Sequence, residues 1–342
     1  MIQIFITYAI AGSGVAVFLA LGLPLPWLLG PIFACLFAAL AGVRMRGNRL
    51  VNDAMRSVLG VAVGATFTTA LLVSMAAMWP TLLMIPVMVA CIGAIGVPYF
   101  QRVWGFNFAT SYYSAMPGGL QDMLAFGEEA GGDVRALSLI HATRVMVIVV
   151  ALPFILQGYW DVDLSNPPGA PVKSIAVSQL LLMVFCGIVG WRVAKALGMF
   201  GSSILGPLIL AAIMALLGIL QHRPPAEAIW MAQFFIGMTV GTKYAGVTMQ
   251  EVRTDVTAAL GFCLILIVLT FVFAEAIHLA NLAPPLETLL AFAPGGQAEM
   301  TVLALIVGAD MAFVIAHHVL RIFVVILGAP VAARLWDSKH RD

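Results

Sequence analysis

Ten apolar runs, each long enough to cross a bilayer, occupy most of this sequence and restrict it to one class of fold. A spanning helix needs about 17–25 predominantly apolar residues. Such runs fall at 2–23, 26–43, 57–76, 79–100 and 134–157, and again at 174–195, 201–220, 228–246, 256–279 and 312–333. Composition agrees: 62% of the 342 residues are hydrophobic and 10% are charged, against roughly 45–50% apolar and about 25% charged in a soluble domain. Hydrocarbon leaves backbone polar groups no partner but the chain itself, so runs of this length predict helices. The expected fold is an all-α polytopic membrane protein, with the lipid bilayer as its first partner. A formal net charge of +1 provides no basic surface for nucleic acid.

The cysteines Cys35, Cys91, Cys186 and Cys263 stand singly in apolar runs without CxxC spacing, which predicts packing residues rather than disulfides or a zinc site. Met1-Ile2-Gln3 has no basic n-region, so 2–23 reads as a retained first span rather than a cleaved signal peptide. The one polar stretch of note is QGYWDVDLSNPPGAPVK at 157–173. It suggests a first membrane half at 1–157, a polar linker at 158–173 and a second membrane half at 174–342.

The two halves resemble each other. At an offset of 177, LGVAVG at 59–64 faces IGMTVG at 236–241, and MPGGLQDM at 116–123 faces APGGQAEM at 293–300. Gly131/Gly308, Asp133/Asp310, His141/His318, Arg144/Arg321 and Pro153/Pro330 follow at the same offset, and WLLGP at 27–31 matches SILGP at 203–207 at 176. A nearly constant offset over such a length predicts an internal duplication.

The distribution of basic residues predicts its orientation, because cytoplasmic loops carry the excess of Lys and Arg. With Arg44, Arg46, Arg49 and Arg102 inside, and the segment around Pro117 entering and leaving on one side, the linker with Asp161 and Asp163 falls outside. Arg192, Lys195, Arg253, Arg334, Lys339 and Arg341 then fall inside, leaving only Lys173 and Arg223 clearly outside. The pattern favours five spans plus one broken segment per half, in inverted orientation, with both termini cytoplasmic. Broken segments that crossed completely would make the repeats parallel and weaken the bias.

The broken segments carry the chemistry. Proline interrupts the helical ladder, and the paired glycines allow conformations closed to other residues. Non-helical backbone at membrane depth is tolerated where protein buries it or it lines a wet cavity. Short helices are expected to start just after the breaks, at 118–126 and 295–305, with free N–H groups suited to an anionic group. Facing broken helices near the midplane are a recurring site architecture in secondary transporters. Pro117, Gly118, Gly119, Pro294, Gly295 and Gly296 are therefore the expected substrate-binding backbone. A packing kink is the plainer alternative. Asp122 and Glu299 follow each proline by five residues. A carboxyl group there could carry a proton or ligate sodium, although an acid in a first turn also simply complements the helix dipole.

The last span of each half adds Arg144 with His141, and Arg321 with His318, a turn apart on one face. An arginine inside an apolar helix needs a partner, expected to be Asp122, Glu299 or a bound anion. That makes Arg144 and Arg321 candidates for substrate binding, with a structural lock as the alternative. His141, His318, Asp133 and Asp310 are accessory candidates. His317 has no counterpart, since Ile140 stands at the matching position. The histidine spacing resembles no metal motif, so neither a metal nor another cofactor is expected. The small-xxx-small pairs Gly60/Gly64 and Gly237/Gly241 predict close helix packing.

The duplication, the LGP turns, the GxxxG span and the twin PGG-x-x-D/E-M segments together resemble the bacterial membrane AbrB-duplication family, over essentially the whole chain. Members of that family carry conflicting labels, as regulators of gene expression and as ammonia monooxygenases. The name shared with soluble DNA-binding AbrB regulators implies nothing here, as this chain offers no DNA-binding segment. The resemblance implies an inner-membrane protein and brings no established catalytic residues with it. The layout is also similar to that of ten-span inverted-repeat exchangers and symporters, an analogy of fold alone. The expected activity is secondary transport of a small anionic or polar metabolite coupled to protons or sodium, not enzymatic catalysis. A homo-oligomer is compatible with it. The alternative is a membrane sensor or regulator that binds a ligand in the same pocket.

Overall fold

The computed structural model describes residues 2–69, 77–162, 164, 167–199 and 201–338. Outside them lie the end of the expected 57–76 span, Asp163 in the linker, and Lys339 and Arg341 of the tail, together with the side chain of Arg334. All regular structure among the described residues is helical. In chain order the helices are α1 (Ile2–Ala20), α2 (Pro26–Leu40), α3 (Arg49–Gly64), α4 (Trp79–Pro98), α5 (Phe108–Ala115), α6 (Leu120–Glu129) and α7 (Val134–Trp160). There follow α8 (Val177–Ala196), α9 (Ser202–Leu216), α10 (Ala226–Thr242), α11 (Thr257–Leu279), α12 (Pro285–Phe292), α13 (Gln297–Val307) and α14 (Met311–Ser338).

Six segments among the described residues are helical, long and apolar enough to cross a membrane: Gln3–Ala20, Trp79–Val103, Val134–Trp160, Val177–Ala196, Met249–Leu279 and Met311–Ala333. This is a polytopic all-α membrane protein. The remaining four expected spans are shorter helices of 15, 16, 15 and 17 residues (α2, α3, α9 and α10). At 1.5 Å per residue they measure about 22–26 Å, short of a hydrocarbon core of about 30 Å.

Their ends have identifiable causes. Gly42 and Gly218 adopt left-handed backbone (φ +83° and +72°) and stop α2 and α9 within apolar sequence, so the expected runs to 43 and 220 overshoot. α3 starts at residue 49 rather than 57 because the Asn48 side chain accepts from the N–H groups of Leu50 and Val51. Its polar first turns, RLVNDAMR, hide it from a hydropathy reading.

The chain divides into two compact units: 1–76, 150–246 and 297–312 form the first, and 77–149, 247–296 and 313–342 the second. In the first unit, glycines set the packing. A Cβ at Gly60 would overlap the Ile204 carbonyl oxygen and one at Gly64 the Leu208 carbonyl, so α3 lies directly on α9. Gly237 and Gly241 bring α10 onto the backbone of α2 at Leu28 and Ile32 in the same way. Gly14 meets Gly30 across α1 and α2, and Gly190 meets Gly206 across α8 and α9. Small residues let helices approach where lipid supplies no hydrophobic drive. Cys35 packs with Ala11 and Met238, and Cys186 with Val61 and Ala211, as ordinary apolar residues.

In the second unit α4 runs into a π-helical turn, Tyr99–Val103, and α11 is preceded by another, Val252–Val256. The Tyr99 hydroxyl donates to the Ala258 carbonyl (2.9 Å), and Phe100 packs on Phe262. The Tyr112 hydroxyl donates to the Ala329 carbonyl (2.9 Å), tying α5 to α14.

Candidate functional site

Both PGG segments are true helix breaks. α5 ends at Ala115, Met116 is extended (φ −63°, ψ 127°), and the chain re-enters a helix after Gly119 (φ −67°, ψ 138°). α12 ends at Phe292, Ala293 is extended (φ −60°, ψ 124°), and α13 begins at Gln297. The short helices start two residues later than expected. None of the four motif glycines has a positive φ, so their conformational freedom is not what the breaks use. Gly118 serves close approach instead: a Cβ there would press on Met123 Cε and Val325 Cγ1.

A break leaves carbonyls without helical donors, and in both segments the same side chains take them. Arg144 donates from Nη1 to the Met116 carbonyl (3.0 Å) and from Nη2 to the Gly118 carbonyl (3.2 Å). Arg321 donates from Nη1 to the Ala293 carbonyl (2.8 Å) and from Nη2 to the Gly295 carbonyl (3.0 Å). One turn earlier, His141 Nε2 donates to the Tyr113 carbonyl and His318 Nε2 to the Leu290 carbonyl, both at 2.9 Å. A carbonyl only accepts, so Nε2 carries the proton. The acceptors precede their donors by 28, 28 and 26 residues in both segments. Both arginines are 3% exposed, and both histidines are buried.

The expected carboxylate partners are not what the second unit provides. Arg144 and Asp122 do not pair, whereas Arg49 pairs with Asp53 and Arg135 with Glu251. Asp122 lies in the first turn of α6, with its Oδ2 buried and without a hydrogen-bond partner. Glu299 is buried in the first turn of α13, which belongs to the first unit, whereas Pro294, Gly295 and Gly296 belong to the second. Pro117, Gly118 and Gly119 are in the second unit with Arg144 and Arg321.

Asp133 and Asp310 cap helices. Asp133 Oδ1 accepts from the N–H groups of Arg135 (2.8 Å) and Ala136 (3.1 Å), and Asp310 Oδ1 from Ala312 (2.9 Å). His317 takes part in a separate contact. Its Nδ1 donates to the Phe313 carbonyl (2.7 Å) and its Nε2 meets Thr81 Oγ1 (2.9 Å). The sequence reading missed Thr81 and the carbonyl acceptors at Tyr113, Met116, Leu290 and Ala293. Backbone acceptors leave no mark on residue type, although the repeated 28-residue separation was there to find.

The family model described as "Transition state regulatory protein AbrB" matches residues 27–337. The chain belongs to this family. Two relatives extend the match to nearly full length. "Uncharacterized protein YhjN" of Bacillus subtilis (strain 168) is 26% identical over 98% of this chain and 93% of its own length. "Putative regulator AbrB" of Escherichia coli (strain K12) is 24% identical over 93% of this chain and 91% of its own. The AbrB match takes in both helix breaks and both arginines that hold them.

Proposed function

We propose that this AbrB-family protein is a secondary active transporter of a small anionic or polar metabolite, coupled to protons or sodium, in the bacterial inner membrane. One observation carries the proposal: two broken helices, each with its interrupted backbone held by an arginine and a histidine at identical spacing. Interrupted helices whose termini offer unpaired N–H groups are how membrane transporters hold polar solutes. Gly118, Gly119, Gly295 and Gly296 would present their amides to substrate, with Arg144 and Arg321 assisting. Asp122 and Glu299 would bind the coupling ion. The halves would lie in opposite orientation, with both termini cytoplasmic.

Purified protein in proteoliposomes, screened with labelled small anions under an imposed proton or sodium gradient, tests this. Gradient-driven uptake is expected, and Asp122→Asn with Glu299→Gln should abolish it while the protein still inserts. Coupled uptake unchanged in the double variant would remove the coupling assignment. The regulatory names carried by the family and by the Escherichia coli relative favour a second reading, a ligand sensor. Saturable ligand binding without flux would select it.

A further inference from the structure

Arg144 and Arg321 have more hydrogen-bond donors than the backbone uses. Each commits Nη1 and Nη2 to carbonyls of its own break, yet Nε of both is buried and without a hydrogen-bond partner. A guanidinium stays charged, and a charge buried at membrane depth persists where opposite charge or water answers it. Carbonyl dipoles satisfy hydrogen bonds but bring no net charge. The ion pairs Arg49–Asp53 and Arg135–Glu251 involve neither arginine, and Asp122 leaves its own Oδ2 unpartnered.

The first break also packs against the helix that carries Arg321, within the second unit. Arg144 holds the Gly118 carbonyl, and the α-carbon of Gly118 faces Val325 Cγ1. Val325 is one helical turn beyond Arg321 on the same face of α14. The break that Arg144 holds therefore lies against the helix that carries Arg321.

We propose that Arg144 and Arg321 together bind a small dianion, a dicarboxylate or a tetrahedral inorganic anion, with one acceptor group for each guanidinium. Two like charges repel strongly in a medium of low dielectric. A monoanion offsets half of that pair, and a dianion offsets all of it through charge-assisted hydrogen bonds. The inference rests on the binding site proposed above and not on the coupling of that site to an ion gradient.

Equilibrium binding of labelled succinate and labelled sulfate to the purified full-length protein tests it, with other short dicarboxylates, phosphate and acetate as competitors. We expect saturable binding of at least one dianion, with acetate competing at least tenfold more weakly. Arg144→Gln and Arg321→Gln should each weaken binding at least tenfold, and the Lys variants should recover part of the loss. Binding of succinate alone assigns the site to diacids; binding of sulfate alone assigns it to tetrahedral anions. Acetate competing equally, unchanged dianion binding in folded Gln variants, or no saturable dianion binding overturns the proposal. Should the Gln variants not fold, the selectivity of the wild-type protein decides. Dianion binding without gradient-driven flux would keep this site and remove transport, whereas coupled flux of monoanions alone would do the reverse.

Discussion

Arg144 and Arg321 show what residue-level reasoning can and cannot reach. A positive charge in an apolar helix announces that it needs a partner, and the spacing to His141 and His318 announces a shared face. Nothing in residue type announces that the partner is a carbonyl. The structural share of their role is measurable separately from binding. Arg144→Gln or Arg321→Gln removes charged donors from the carbonyls of the breaks, at a cost of about 1.5–3 kcal/mol for a hydrogen bond to a charged group. Ligand-free melting of the detergent-solubilised protein should fall accordingly. Asp133 and Asp310 belong to a different class. As caps they should each cost about 0.5–2 kcal/mol when replaced by Ala, seen as a lower melting temperature. Ligand affinity should stay unchanged, and a loss of affinity in folded Asp133→Ala protein would assign that residue to the site.

At the scale of elements, hydropathy located the spans more reliably than it bounded them. The helices α1, α4, α7, α8, α11 and α14 stand where apolar length places them. α2 and α9 end early because a left-handed glycine stops a helix regardless of the apolar residues that follow. α3 begins early because a single asparagine side chain can start a helix in polar sequence. The π-helical turns at Tyr99–Val103 and Val252–Val256 had no sequence signal at all. The glycine pairs were legible as contacts but not as to their partners. Gly60→Val should force α3 away from the backbone of α9, and Gly237→Val should do the same to α10 on α2. Overpacking of this kind costs about 1–3 kcal/mol. Gly12→Ala, with open space around its α-carbon, should not lower the melting temperature and serves as the control.

For the whole molecule, the matched positions of the two halves make matched contacts, but the compact units do not follow the halves. The first unit takes α1–α3 with α8–α10 and α13, and helices from opposite halves cross within it, α3 on α9 and α10 on α2. An offset of 176–177 was readable from the sequence; the exchange of partners was not, because it depends on which carbonyl each glycine meets. The proposed function requires that the halves lie in opposite orientation across the membrane, so that the linker at 158–173 faces away from the cytoplasm. The most direct test is a single cysteine, Asn166→Cys, in a variant with Cys35, Cys91, Cys186 and Cys263 replaced, treated with a membrane-impermeant thiol reagent. Labelling of intact cells from outside is the predicted result. Labelling only after the membrane is opened would place the linker in the cytoplasm, make the halves parallel, and contradict the transporter built on them.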